Sequence, residues 1–450
     1  MKIQKISQYQ YHLQFNFLEN DFDTFYARFL KSDLGKIYQS IPWEEMIKAM
    51  KIKTYRKGPK SIFSPKGKIA LMILKHYTGV SDRKLIEQLN GNIEYQFFCD
   101  IYLGHQRIEN YKIVSQIRTE LSSNFSIDKV QQVLYNHWAS YIDNPSHILM
   151  DATCYESELR YPTNQKLLWK NVEWSYGQMK ILCKHLKIKL PRTKYNKWKS
   201  RYISYSKMRR KTNKKKKPLT RGLLHLLNKL NGLLDEIENH TTIEMPKRYH
   251  NRRDTIKQIY IQQKQLFDTG ILPKNRIVSI HKSYLRPIVR GKEKKPVEFG
   301  AKVNKIQIDG INFIEHINFN AFNEGTRFMQ SVYFAQSLTH TKTKLTGADA
   351  IYATNKNRVF ATSNNIQTDF KPKGKQGKYH QEKKLLRKII SKERSTRLEG
   401  SFGREKEHYH LKKVKARTKK NEILWIFFGI HTANALEIGR RIERTKQEVA

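Results

Sequence analysis

The chain has 450 residues, of which 38% are hydrophobic and 11% aromatic, so it can bury a core and is not globally disordered. Lys and Arg number 86 against 40 Asp and Glu, which gives a formal charge of +46 and a pI of about 10.0. An excess of that size opposes compaction and favours a polyanionic partner. It argues against a small-metabolite enzyme and ranks nucleic acid ahead of an anionic membrane surface.

Residues 1–145 read as helical. Lys66 to Tyr77 carries Ile69, Met72 and Ile73 and stops at Gly79. Ser81 caps a short helix bearing Leu85, Ile86 and Leu89. A third, from about Glu109 to Leu121, repeats Ile113, Val114, Ile117 and Leu121 at helical spacing, and Asp128 to Ile142 is a fourth. Short helices with Gly turns fit a helix-turn-helix reader and equally a plain helical bundle. The texture then changes. His147 to Thr153 is an apolar run that ends on Asp151, as in a strand covered on both faces. A carboxylate at the C-terminal end of such a strand is where open α/β sheets place their chemistry.

Residues 174–234 hold 19 Lys or Arg and no acid, including Lys214, Lys215, Lys216 and Lys217. Tyr195, Trp198, Tyr202 and Tyr205 interleave with the charge. They suit stacking on bases or packing on the arm itself. Two apolar stripes follow, Leu223 to Ile237 and Ile256 to Phe267, which reads as a helical hairpin with a basic arm. The Lys214–Lys217 run by itself also reads as a solvated, flexible stretch. Strands resume with alternation in Val297–Val303 and Ile311–Phe319, joined at Asp309-Gly310, a hairpin-turn pair. A helix from about Asn323 to Leu338 precedes Lys344 to Asp349, a short strand that again ends on an acid; Thr354 caps the helix after it. His380 to His410 is rich in helix formers, and the last helix runs from about Asn421 to Arg444. The apolar window Ile423–Gly439 is broken by His431, Asn434 and Glu437 and reads as a buried helix. The N-terminus lacks an apolar leader core. Cys99, Cys154 and Cys183 show no ligand spacing, which excludes a cysteine zinc cluster or disulfide scaffold. A cytoplasmic, soluble, nucleic-acid-associated protein with no membrane partner is expected.

Phosphoryl transfer on nucleic acid commonly uses two divalent metals held by a few carboxylates. Three acids in this basic chain fit that need: Asp151 and Asp349 at strand ends, and Glu399 on a helix within Arg394 to Lys406. Asp309 is explained by its turn. Glu324 falls at a helix start, where an acid suits the macrodipole, though it can approach the site.

The segments Met150-Asp-Ala-Thr153, Arg160-Tyr-Pro-Thr163, Arg286–Lys292, Pro296–Lys302, Ala321-Phe-Asn-Glu324, Gly347–Tyr352 and Arg397–Gly403 resemble bacterial insertion-sequence transposases of the DDE class. The likeness covers nearly the whole chain and is most specific at 286–302 and 397–406. The order of elements reads as an α/β fold, a mixed sheet with an N-terminal helical domain and a basic helical insertion, and the resemblance implies that its catalytic core is RNase H-like. The resemblance also implies Mg2+ as cofactor, two ions that Mn2+ can replace, bound by Asp151, Asp349 and Glu399 as catalytic residues. Relatives place a Lys seven residues after the Glu, matched by Lys406; two helical turns put it on the same face as Glu399. An Arg four residues before the Glu is replaced here by Ser395, with Arg394 and Arg397 beside it. Further DNA-contact candidates are Arg397, Arg290, Lys292 and the loop lysines Lys371, Lys373 and Lys375, with Lys214–Lys217 on the arm.

The expected organisation is a DNA-binding helical domain over 1–145 and a catalytic domain over 146–412. A basic insertion at 160–275 interrupts the latter, and a helix at 413–450 docks on the core. The expected function is a transposase that binds the terminal inverted repeats of its element and catalyses metal-dependent strand cleavage and transfer, acting as an oligomer on double-stranded DNA. The alternatives are a catalytically inactive DNA-binding protein or repressor derived from a transposase, and a structure-selective nuclease on the same core.

Overall fold

Local capping sets the first helices. In the computed structural model, which describes residues 18–52, 61–241, 244–290, 296–374 and 380–449, the N-terminal region forms α1 (Leu18–Lys31), α2 (Asp33–Ser40), α3 (Trp43–Ala49), α4 (Pro65–Thr78), α5 (Asp82–Gly91), α6 (Ile93–Phe98), α7 (Ile113–Ser123) and α8 (Ile127–Trp138). The side chains of Ser32, Ser64 and Ser81 each accept a hydrogen bond from a backbone N–H in the first turn of α2, α4 and α5. Ile69 to Leu74 are all buried, so α4 is enclosed on every side. Asp82 draws Lys75 (2.8 Å) and Arg118 (3.2 Å) together and ties α4, α5 and α7.

The chain divides into two compact units, Met1–Ser157 with Ala301–Asn318 and Phe322–Ala450, and Glu158–Gly300 with Phe319–Ala321. The second contains α9 (Asn164–His185), α10 (Tyr195–Lys207), α11 (Asn213–Asn239), α12 (Lys247–Thr269) and a hairpin of β2 (Pro287–Val289) with the first residues of β3 (Val297–Ile308). The expected helical hairpin is therefore a set of four helices. Leu223, Leu227, Leu230 and Leu234 of α11 join Leu168, Val172 and Ile256 in one apolar cluster. The interleaved aromatics are used in this packing. Trp169 stacks on Tyr195 and Tyr202, with ring centroids 5.4 and 5.0 Å away, Tyr176 stacks on Tyr195 at 3.8 Å, and Tyr205 is buried.

The sheet of the first unit begins with β1 (His147–Ser157). The rest of β3 follows, then β4 (Ile311–Asn318), α13 (Phe328–Thr339), β5 (Leu345–Ala348), α14 (Asn355–Ser363), β6 (Gln367–Thr368), α15 (His380–Glu393), α16 (Glu399–His408), β7 (Lys413–Val414) and α17 (Lys419–Val449). Strand order is β3-β1-β5-β6, with β4 antiparallel to β3 and β7 parallel to the far end of β1. Asp309 (φ 45°) and Gly310 (φ 81°) turn the β3–β4 hairpin as the sequence predicts, because a two-residue connection matching the strand twist needs positive φ at both positions. The C-terminal helix packs on α2, α4 and α7 as well as on β4.

A buried polar network joins these layers. A register shift between Asn304 and Lys305 interrupts the β3–β4 ladder, and a bulge of this kind re-aims side chains. Lys305 is fully buried; its Nζ lies 2.8 and 2.7 Å from the two oxygens of buried Glu405 on α16. The Tyr155 hydroxyl of β1 donates to Glu405, and Asn312 Nδ2 of β4 donates to it at 3.1 Å. Asn312 in turn exchanges backbone hydrogen bonds with the Asn434 side chain of α17. Burial pushes the Lys305 ammonium down from its ordinary value, and Glu405 opposes that shift. Lys305→Met leaves Glu405 charged and unpaired, so a loss of about 3–5 kcal/mol is expected in urea unfolding of the full chain.

Candidate active site

Two adjacent parallel strands bring the strand-borne acids together. β1 and β5 pair from His147↔Leu345 to Met150↔Ala348, so one further step in the same register sets Asp151 against Asp349. Asp349 follows the last residue of β5, as expected. Asp151 does not end its strand. β1 runs on to Ser157 because Glu156 and Ser157 gain a second partner in β7, and Asp151 marks where the β5 partner ends. Both carboxylates accept a 2.7 Å hydrogen bond from the backbone N–H of the next residue.

Neighbouring elements fix these positions. Asp349 opens a 3-10 turn whose Tyr352 hydroxyl donates to Asn304 Oδ1 of β3 at 2.6 Å. Asn357 Nδ2 donates to the carbonyls of Tyr352 (2.8 Å) and Gly325 (2.7 Å), which binds that turn to the segment carrying Glu324. Lys302 Nζ holds Glu324 at 2.7 Å. Gly347 admits α15 close to β5: a Cβ there would stand 2.5 Å from Ile390 and 2.6 Å from Leu149.

Glu399 lies at the junction of two helical segments. α15 continues into a π-helical turn, Arg394–Leu398, and α16 begins at Glu399. Such turns are frequent at functional sites. Arg394 reaches toward Glu399 Oε1 (3.4 Å) and Asp349 Oδ1 (4.0 Å). Lys406 Nζ donates to Thr153 Oγ1 at 2.9 Å. Thr153 and Asp151 are two apart on β1 and share a face, so the lysine two turns beyond Glu399 meets the strand beside Asp151.

Burial dominates the electrostatics. It pushes the Asp151 carboxyl up to about 6; Glu324 and Asp349 add to that rise, while the Ala152 N–H and Arg394 oppose it. Asp369, just after β6, is also pushed up by burial, although its Oδ1 accepts from the Ala348 N–H at 3.1 Å. Glu324 and Asp369 therefore border the site. The first had only a helix-start signal in the sequence and the second had none; Arg394 and Thr153 were visible only as parts of motifs.

The other basic candidates separate from the carboxylates. Arg397 turns to Asp309 (3.3 Å) and Glu393 (3.4 Å). Arg290 pairs with Glu298 at 3.1 Å across β2–β3. Lys373 donates to Asn355 at 2.8 Å, and Lys371 is exposed. Lys214–Lys217 form the first turn of α11 and are not a flexible run. Lys292 and Lys375 lie outside the described residues.

Two family models match the chain. A model described as Transposase domain (DUF772) matches residues 11–120, and one described as Transposase DDE domain matches residues 347–428. The chain carries the domains of an insertion-sequence DDE transposase. The second match holds Asp349, Arg394, Glu399 and Lys406. No curated protein and no solved structure matches the chain significantly. Transposases act on DNA, the DDE domain points to a nucleic-acid-cleaving enzyme, and such domains generally use divalent metal ions. No described helix is long and apolar enough to cross a membrane.

The carboxylates Asp151, Asp349 and Glu399 suit a hard divalent cation. The donors are all oxygens, and Asp151 is destabilised in its charged form, which an adjacent cation would relieve. Among the described residues no three His, Cys, Asp or Glu side chains are already gathered as a ligand set. Asp349 and Glu399 face a guanidinium.

The raised Asp151 value has a stability consequence. Between the ordinary carboxylate range and about pH 6 the folded state holds the extra proton, so unfolding free energy falls as pH rises through that window. Asp151→Asn removes the ionised group and is expected to raise stability by about 1–3 kcal/mol at about pH 7.5. The gain should shrink to near zero at about pH 4; thermal melts of both proteins across that range check it.

Proposed function

We propose that this transposase binds the terminal inverted repeats of its insertion sequence and catalyses DNA strand cleavage and strand transfer at Asp151, Asp349 and Glu399. The observation that carries the reading is the β1–β5 register, which sets Asp151 against Asp349 at the C-terminal end of β5. A mixed sheet with two acids at that edge and a third on a following helix supports an RNase H-like core over 146–412.

Asp151, Asp349 and Glu399 would hold two Mg2+, or Mn2+ in their place. When bound, such ions supply activation of the attacking water or 3′-hydroxyl and stabilisation of the leaving oxygen. The chain's own residues do the rest. Asp151 stands within β1 and Asp349 directly after β5, where the sheet locks the backbone. Lys406 presents a cation on the face of β1 that Asp151 shares, where it orients a backbone phosphate. No side chain need act as nucleophile.

Phosphate contacts outside the centre are assigned to the helices of 1–145 and the basic helices of 160–275. Lys214–Lys217 crowd the N-terminus of α11, where the helix dipole adds to their positive potential, so the segment favours a polyanion. Arg290, Lys292, Lys371, Lys373, Lys375 and Arg397 are further candidates for phosphate contact. The C-terminal helix, α17, braces the core. Two transposon ends handled together imply an oligomer assembled on DNA, at the nucleoid of a bacterial cytoplasm.

An excision assay tests the reading. The purified protein is incubated with Mg2+ and a plasmid carrying its gene and native flanks, and DNA ends are mapped. Cuts at the borders of the element are expected, and Asp349→Asn should abolish them while DNA binding stays within about twofold of wild type, since a carboxylate contributes no phosphate contact. Scattered cuts favour a nuclease; tight binding without cuts favours the inactive repressor. Binding itself should weaken by about 10³-fold or more between 50 and 200 mM salt, as expected for six or more phosphate contacts. A flat profile contradicts DNA as the partner.

A further inference from the structure

We propose that Arg394 is a built-in counter-cation of the carboxylate site, seated between Asp349 and Glu399 in the metal-free protein and displaced when a divalent cation binds. The inference rests on the reading of Asp151, Asp349 and Glu399 as the metal-holding acids.

The placement is specific. Arg394 Nη1 lies 3.4 Å from Glu399 Oε1, and Nη2 lies 4.0 Å from Asp349 Oδ1. The same guanidinium also opposes the upward shifts of Asp151 and Asp369, so one positive charge serves four acids. The π turn makes the contact with Glu399 available. In an α-helix residues five apart point about 140° away from each other. Here the Glu399 N–H bonds to the Arg394 carbonyl across the wider turn, which closes that angle.

The contacts are those of an exchangeable partner. Charge-assisted pairs made to last are shorter, about 2.7–2.9 Å. Arg441 in the same unit shows the contrast: it bonds Asp309 Oδ2 at 2.7 Å, the Asp309 carbonyl at 2.7 Å and the Tyr141 carbonyl at 2.9 Å. Arg394 has neither that reach nor that saturation. Its side chain is only 16% exposed, yet its Nε is buried with no hydrogen-bond partner among the described residues. Asp349 and Glu399 are 54% and 51% exposed, so a cation from solvent can reach them. A mostly buried guanidinium with an unmet donor and long contacts neutralises the acids without holding them permanently. It keeps like charges from repelling one another before metal arrives, and it competes with the metal for the same oxygens.

Mn2+ titration of the full-length protein without DNA, read from the loss of the free-ion EPR signal, tests this. Arg394→Gln is expected to bind Mn2+ about fivefold tighter than wild type, the upper end of what one ion-pair partner contributes. Arg394→Lys, which keeps the charge, should fall between the two. Arg387→Gln removes the same charge from α15 and should match wild type, and circular dichroism verifies that each variant folds. Equal or weaker binding by Arg394→Gln, or an equal gain in Arg387→Gln, overturns the proposal. Asp349→Asn separates the two readings. If it weakens Mn2+ binding while Arg394→Gln changes nothing, the metal site stands and the counter-cation fails. If neither wild type nor Arg394→Gln takes up Mn2+, the metal reading falls and takes this inference with it.

Discussion

The buried pair of Lys305 and Glu405 is the constraint on which the geometry of the candidate site depends. Lys305 sits at the shifted register of β3, and Glu405 lies six residues beyond Glu399 on α16. Two charges removed from water are tolerated only with close geometry and further hydrogen bonds, and Tyr155 of β1 and Asn312 of β4 supply them. The pair therefore selects one rotation and one height of α16 against the sheet. Glu399 and Lys406 are carried on that helix, so their positions over β1 follow from a contact that includes neither of them. The Lys406–Thr153 bond completes the alignment.

The carboxylates face the opposite problem. Acids brought near one another must withstand their mutual repulsion. Three means of doing so are visible. Asp151 is pushed toward its neutral form by burial, Lys302 holds Glu324, and Arg394 stands among Asp349, Glu399, Asp151 and Asp369. In a chain of charge +46 an arginine is always at hand. What distinguishes Arg394 is a looseness that the well-made Arg441–Asp309 pair lacks.

Features governed by near neighbours are legible in the sequence alone. Ser81 and Thr354 cap the helices expected of them, because the capping hydroxyl bonds a backbone N–H three residues on. Asp309-Gly310 turns the hairpin because its backbone demands positive φ twice. The alternation of apolar residues showed β3 and β4, and an acid after the apolar run of Lys344–Ala348 marked Asp349. Where reading stopped, the cause was distant in sequence. β1 continues past Asp151 because β7, some 260 residues on, pairs with its end. The aromatics of the basic arm pack on Trp169 and Tyr176, a choice that depends on how four helices fold together. Asp369 follows a two-residue strand that gives no periodic signal.

The sequence by itself determined the pattern: a basic chain, few acids, two of them after apolar runs and one on a helix seven residues before a lysine. Those are properties of composition and spacing, which local physics reads directly. Only the tertiary structure decided that Asp151 stands opposite Asp349, that burial raises Asp151, and that Arg394 enters the acidic cluster. Strand register, dielectric environment and the wide helical turn at Arg394–Leu398 arise from contacts between elements far apart in the chain, where no short-range pattern carries the information.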